Sequence, residues 1–283
     1  MNKESLGILP PGEMGVTVAL AAQNSGHYVY WASAGRSTQT RERADKIALI
    51  DAESFANLCE TCSILICVCP PGAAEDVAGQ VAAQGFQGLY IDANAISPQR
   101  AQKIALTLQE AGISFVDGSI IGGPAWKSNT TRLYLSGTNA MKTAHYFSAG
   151  PLGVNVVGES IGQASALKMC YAAYTKGSTA LLCAILAAAE ALEVRENLME
   201  EWSLSGSNLA QESSRRVRRV TAKAWRFSDE MEEIAATFKS VGIPDGFHAA
   251  SANIYTRLSG YKGSEMPEIE DVLATLLKGD LAG

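Results

Sequence analysis

Aromatic residues are scarce in this chain, at 7% of 283 positions, and charged residues are few, at 18%. Few aromatics leave little platform for stacking nucleic-acid bases. With 23 Lys+Arg against 29 Asp+Glu, the net charge of −6 argues against a partner bound by neutralising its phosphates. Histidine is rarer still, with three residues. Cys59 and Cys62 have the spacing of half a zinc site, but no second Cys or His pair stands at ligand spacing, so no metal is expected. The sequence also lacks an uninterrupted apolar run of the ~18 residues a membrane span requires; the best stretch, 180–189, ends at Glu190. The opening MNKESLGILPPGEMG has no apolar signal-peptide core. These absences predict a cytoplasmic protein with neither membrane nor nucleic-acid partners, its six cysteines free thiols.

What the chain has in quantity is small and apolar: 47% hydrophobic residues and 26 glycines, the composition of a packed globular protein. At roughly 150 residues per domain, its length allows one large domain or two modest ones. Short β-rich runs at 5–9, 28–32, 63–69, 88–92, 113–117 and 132–136 alternate with segments of helical period at 14–23, 73–84 and 98–111. That alternation predicts βαβ units and a doubly wound, mostly parallel sheet of the Rossmann type. After a last strand near 154–157 the pattern changes to helix formers, with one long helix from 160 to about 194. The expected organisation is a dinucleotide-binding domain over 1–158 and an all-helical substrate and dimerisation domain over 159–283.

The first strand runs into Gly7-Ile-Leu-Pro-Pro-Gly12-Glu13-Met14-Gly15 and then an amphipathic helix. In a dinucleotide-binding turn the middle glycine admits a pyrophosphate and the last lets helix pack on strand, while the helix N-terminus attracts the charge. Pro10 stands at the first glycine position. At the end of the second strand, where a carboxylate would hold the ribose of NAD, the chain reads Ala34-Gly-Arg36-Ser37-Thr38. A guanidinium with two hydroxyls suits a 2′-phosphate and predicts NADP; the bland alternative is a solvated turn. Arg41 is a second candidate phosphate contact.

Gly12-Glu-Met-Gly15, Cys69-Pro70-Pro71, Asp92-Ala-Asn94-Ala-Ile-Ser-Pro98, Asp117-Gly-Ser119-Ile-Ile-Gly122-Gly123-Pro124 and Gly162-Gln-Ala-Ser-Ala-Leu-Lys168 occur in that order. In this the chain resembles the β-hydroxyacid dehydrogenase superfamily, which includes 6-phosphogluconate and 3-hydroxyisobutyrate dehydrogenases. The tail, with Ala224-Trp225-Arg226-Phe227 and Glu230-Met-Glu-Glu-Ile234, resembles its phosphogluconate-dehydrogenase-like branch with a poorly characterised helical C-terminal domain. The resemblance implies an NADP-dependent oxidoreductase acting on a small hydroxy acid or its aldehyde or ketone. Lys168 would be the general acid/base, its pKa lowered by desolvation and a cationic nicotinamide. Cys69, Pro70, Pro71 and Asn94 would join Gly12, Glu13, Met14 and Gly15 at the cofactor. Ser119, Gly122, Gly123, Tyr171, Thr175, Trp225 and Glu230 would face substrate, and a homodimer would form through the helical domain.

Ile121 stands where many members carry serine, and Tyr171-Ala172 replaces asparagines usual one turn after the lysine, which reads as a more apolar pocket. Arg226 and Glu230, at i and i+4, suit a salt bridge or a cleft lining equally. The run from Arg215 to Arg219 is read as a solvated helix face, and Trp225, Phe227 and Phe238 as core. Three other functions compete. An imine reductase would use the same scaffold with Tyr171 as donor, and a non-catalytic NADP-binding protein would show no turnover. A serine hydrolase would use the Gly158-Glu-Ser160-Ile-Gly162 elbow with Asp229 or Asp245 and His248.

Overall fold

The computed structural model describes residues 3–204, 206 and 208–278. It divides into two compact units, Met1–Lys168 and Met169–Gly283. The division falls at Lys168 rather than at Gly158, because the first turns of the long helix are hydrogen-bonded to the sheet.

In the first unit the order is β1 (Ser5–Leu9), α1 (Gly15–Asn24), β2 (Tyr28–Trp31), α2 (Thr38–Lys46), β3 (Ile50–Asp51), α3 (Phe55–Thr61), β4 (Ile64–Cys67) and α4 (Ala74–Ala83). It continues with β5 (Leu89–Asp92), α5 (Pro98–Glu110), β6 (Ser114–Ile121), β7 (Thr131–Ser136), α6 (Ala140–Ala144) and β8 (Leu152–Gly158). The strands form one sheet in the order β3-β2-β1-β4-β5-β6-β7-β8. Strands β3 to β6 are parallel neighbours; β7 runs antiparallel to β6, and β8 parallel to β7. The strand order reverses between β1 and β4, the switch point outside which α/β sheets bind ligands.

Both faces of this sheet are buried, which is why its central strand reads as an unbroken apolar run. Ile64 and Ile66 of β4 enter one core with Leu6, Ile8, Val18, Ile91 and Val116. Leu65 and Cys67, alternating with them, enter the other with Leu58, Tyr90, Ile104 and Leu108. The strand β3, which the sequence patterns do not predict, is two exposed residues at the sheet edge. Helix α2 also escapes the pattern, since only Ala44 of its nine residues is buried.

The second unit takes up α7 (Gln163–Ala191) and continues through α8 (Arg195–Leu204), α9 (Leu209–Ser240), α10 (Gly246–Arg257) and α11 (Ile269–Leu277). No strand follows residue 158 among the described residues. Helix α9 buries Ala210, Ser213, Val217, Val220, Thr221, Ala224, Met231 and Ile234, spacings of three and four that put one stripe against its neighbours. Helix α7 corrects the expectation that no stretch reaches membrane-span size. By length and composition it does, because scattered Ser, Thr, Gly and Lys break its apolar runs without lowering the mean much; half of its most apolar window is buried inside the fold, as in a core helix.

Candidate functional site

The loop from β1 to α1 carries the arrangement expected of a phosphate turn. The Gly12 amide donates to the Pro10 carbonyl at 2.8 Å, and the Val16 amide to Gly12 at 2.9 Å. Pro10 thus closes the turn with its carbonyl, which needs no N–H. A Cβ on Gly15 would collide with that same carbonyl oxygen, whereas a Cβ on Gly12 would meet nothing within 4 Å. Gly15 is therefore required for packing and Gly12 opens onto free space. Among the described residues the amides of Glu13 and Met14 donate to no carbonyl. Open space in front of unspent amides at a helix N-terminus fits a dinucleotide's pyrophosphate. Thr17, buried one turn on, donates its hydroxyl to the Met14 carbonyl and accepts the Ala125 amide at 3.1 Å, so the loop after Gly122-Gly123 is tied to this turn.

At the end of β2, Arg36, Ser37 and Thr38 are exposed. Ser37 is the N-cap of α2, its hydroxyl accepting from the Thr40 amide, while the Arg36 side chain lies in solvent. Arg41, by contrast, donates to the Ser33 carbonyl at 2.7 Å, which commits it to holding the turn. Asp51 of β3 accepts the amides of Ser33 and Glu53 at 3.2 and 2.7 Å, and these bonds hold its carboxyl below the ordinary value against the cost of desolvation. The carboxylate missing from the tip of β2 is present one strand over, occupied with backbone.

After β4 the chain turns through Cys69, Pro70 and Pro71. Pro70 is exposed, Cys69 half-buried and Asn94 buried. Its Oδ1 accepts the Cys69 amide at 2.6 Å, and its Nδ2 donates to Asp92 Oδ2 at 3.0 Å and contacts Cys67 Sγ at 3.4 Å. Asn94 thereby braces the Cys69-Pro70 turn. Burial pushes the Asp92 carboxyl up to about 7, and facing Asp117 across the β5–β6 pair adds to this.

Asp117 is the densest polar centre of the unit. Its carboxylate accepts the amides of Gly162, Ala164 and Ser165 at 2.9, 3.1 and 3.1 Å and the hydroxyls of Ser136 and Ser165 at 2.8 and 2.6 Å. Burial raises its pKa, and these donors oppose the rise. The available signal was an acid inside an apolar strand, FVDGSII, which must find donors when buried. Ser119 is fully buried and donates to the Ala164 carbonyl at 2.7 Å, a tie between β6 and α7. Lys168 donates to the Ile120 carbonyl at 2.8 Å, near the carboxyl end of β6. Immediately beyond stand Gly122 and Gly123, both exposed. Gly122 has φ +124° and its Cβ would strike the Thr130 carbonyl, so no other residue suits it.

In the helical unit Tyr171 is half exposed, and Thr175 donates to the Tyr171 carbonyl. Glu230 is buried in an ion pair with Lys176, not with Arg226. Trp225 is not core: it lies at the surface under the Lys262 ammonium, 3.8 Å from the ring centre. Phe227 and Phe238 are half-buried, edge-on to Tyr255 and His248. The arginine run is not simply solvated either. Arg216 donates to Ser178 and Thr179, and Arg218 to Glu268 and the Pro267 carbonyl, leaving Arg215 and Arg219 exposed. At Ser160, the centre of the expected hydrolase elbow, the amide donates to Gln163 Oε1 at 3.1 Å. The turn is gathered by Asp117, and His248 is buried between the rings of Phe238 and Phe247.

The NAD binding domain of 6-phosphogluconate dehydrogenase, as a family model, matches residues 5–147, and a domain of unknown function (DUF1932) matches residues 189–258. An uncharacterized 28.5 kDa protein encoded in the 7S RNA 5′ region of Methanothermus fervidus is 32% identical over 166 residues, 59% of this chain and 63% of that protein, so the match spans less than two thirds of the relative. A conserved protein of unknown function, described as structurally similar to 3-hydroxyacid dehydrogenases, is 26% identical with a TM-score of 0.66 over 96% of this chain and 99% of its own. A Mycobacterium tuberculosis 3-hydroxyisobutyrate dehydrogenase shares the fold at 14% identity and a TM-score of 0.70, covering 97% and 99% of the two chains. An imine reductase from Myxococcus stipitatus, in complex with NAD+, does so at 18% identity and 0.55, covering 98% and 100%. With its glycine turn, its switch point and more than half its length matched, the chain belongs to the family defined by the NAD binding domain of 6-phosphogluconate dehydrogenase.

Proposed function

We propose that this protein is an NADP-dependent oxidoreductase acting between a small hydroxy acid and the corresponding aldehyde or ketone, with Lys168 as general acid/base. The observation that carries the reading is the Lys168 amine, held at 2.8 Å on the Ile120 carbonyl beside the exposed Gly122-Gly123 pair. The carboxyl end of β6 lies on the same sheet edge as the ends of β1 and β4, where the phosphate turn is. Bound nicotinamide would supply or accept the hydride. The chain's own residues do the rest. Gly12, Glu13, Met14 and Gly15 receive the pyrophosphate, the Cys69-Pro70-Pro71 turn braced by Asn94 flanks it, and Arg36 with Ser37 and Thr38 takes the 2′-phosphate. Lys168 gives a proton to the carbonyl oxygen in reduction and takes it back in oxidation. The backbone amides of Gly122 and Gly123 orient a carboxylate.

Imine reduction is the second reading, favoured by the half-exposed Tyr171 hydroxyl one turn after Lys168 on the same helix. We place the enzyme in the cytoplasm and infer a homodimer through the helical unit, which leaves Tyr174, Leu192, Leu204 and Val241 more than 70% exposed. Light scattering should then give a particle near twice the 29.9 kDa chain mass, and a monomer at micromolar concentration would refute it.

Fluorescence titration with NADPH and NADH, followed by a carbonyl and imine screen at the nicotinamide absorbance, tests the function. Arg36→Ala should weaken NADPH binding by about 10- to 100-fold, the worth of a charge-assisted hydrogen bond, and leave NADH unchanged. Lys168→Ala should cut carbonyl reduction by about 10²- to 10⁴-fold at unchanged NADPH affinity. Retained carbonyl activity would remove Lys168 from the chemistry, and tighter NADH binding would overturn the role of Arg36.

A further inference from the structure

We propose that Asp117 is a positioning residue: by gathering the first turn of α7 onto β6, it sets where the Lys168 amine sits at the carboxyl end of that strand. Three successive ties join the two elements. The Asp117 carboxylate holds the Ser165 amide and hydroxyl, the Ser119 hydroxyl holds the Ala164 carbonyl, and the Ile120 carbonyl holds the Lys168 amine. Ser165 and Lys168 are three residues apart and share a helix face, so the bond made by one fixes the height and rotation from which the other reaches out. Asp117 and Ser119 alternate on the strand and point to the same side, toward this helix start. The tie that matters most is the first. Asp117 takes three consecutive-turn amides and two hydroxyls, at 2.6 to 3.1 Å, in a site without solvent, where charge-assisted bonds are strongest.

A lysine side chain has four rotatable bonds and carries a point charge that accepts many partners. Where such an amine must meet a substrate oxygen, misplacement of its base by an ångström is costly. An ordinary helix N-cap would bring one hydroxyl or carboxylate to one or two amides. Here the capping group comes from 48 residues upstream, on the same strand whose carbonyl receives the lysine. Cap and amine are thus referred to a single rigid element, and the distance between them does not depend on any loop.

The inference rests on the reading of Lys168 as acid/base, but its test needs no substrate. Lysine acetylation by acetic anhydride is followed by mass spectrometry from pH 6 to 10 on the full-length protein, wild type against Ser165→Ala and Asp117→Asn. Lys103 and Lys142, exposed in the same unit, serve as internal controls. Ser165→Ala should speed acetylation of Lys168 by about two- to tenfold, and Asp117→Asn by about tenfold or more, with the control lysines unchanged. General loosening of the unit would also open the buried Cys59 and Cys62 thiols to iodoacetamide in the same variants, and that result would count against the proposal. An unchanged Lys168 profile in folded Asp117→Asn overturns it; should that variant not fold, an unchanged profile in Ser165→Ala does so. Carbonyl activity surviving in Lys168→Ala would instead end the catalytic reading of Lys168 and leave the labelling result standing.

Discussion

Both compact units draw charged groups out of solvent, and they pair those charges by different means. In the α/β unit Asp92, Asp117 and Asn94 are bonded largely to backbone amides, those of Asn94, Gly162, Ala164, Ser165 and Cys69. In the helical unit the pairs run from side chain to side chain between helices: Lys176 with Glu230, Arg216 with Ser178 and Thr179. A backbone amide cannot be exchanged for an apolar group, so a carboxylate that serves one is irreplaceable. A side-chain pair can be exchanged as a whole. The first unit uses buried charge to fix the position of chain segments at the sheet's functional edge, and the second to join helices that hydrophobic contact could join as well.

This contrast predicts two different responses to the removal of charge. Asp117→Leu keeps the branched shape, with bulkier methyl groups for oxygens, but orphans the Gly162 and Ser165 amides and two hydroxyls, at ~1–3 kcal/mol for each buried group left unpaired. We expect a loss of about 4 kcal/mol or more in urea unfolding, with no second-site apolar change able to restore it. Lys176→Met should cost about 3 kcal/mol, because it strands a buried carboxylate, yet Lys176→Met combined with Glu230→Leu should return to within ~1 kcal/mol of the parent. If the double variant remains as unstable as the single, the helical unit's charges are as indispensable as those at the sheet edge and the contrast fails.

The parts of this protein visible in its sequence are those whose local pattern suffices. The run of β4 is apolar throughout because both faces are covered, and Gly12 and Gly15 stand where a strand must turn sharply into a helix. Helix α2, TQTRERADK, shows no periodicity because one buried alanine is all that it contributes to the core. The edge strand β3 is too short for an alternation. Lys168 was legible through its motif, but the groups that hold it were not. Asp117 and Ser165 are 48 positions apart; an acid inside an apolar strand signals that Asp117 needs donors, but which donors emerges only when the fold brings Ser165 within 2.6 Å. Asn94 and Ser119 were visible as motif members, yet their side chains are spent inside the protein. Glu230 had an obvious helical neighbour in Arg226, and its actual partner, Lys176, lies on another helix.

The smallest expected effect is a slope and not a loss. Asp92 and Asp117 face one another on adjacent parallel strands, and burial holds the Asp92 carboxyl up at about 7. The folded protein therefore keeps a proton on Asp92 at pH values where the unfolded chain, with an ordinary aspartate, has released it. Stability linked to this group is fully present below the ordinary Asp value and is lost as pH rises toward 7, at up to about 1.4 kcal/mol per pH unit. Asp92→Asn should abolish this slope, although it weakens the bonds to Asn94 at every pH. Urea unfolding at pH 5, 6, 7 and 8 should therefore show the parent's advantage over Asp92→Asn shrinking from pH 5 to 7 and levelling by pH 8. Parallel stability curves would mean that Asp92 is ionised throughout, and that the α/β unit tolerates two facing carboxylates by amide bonding alone.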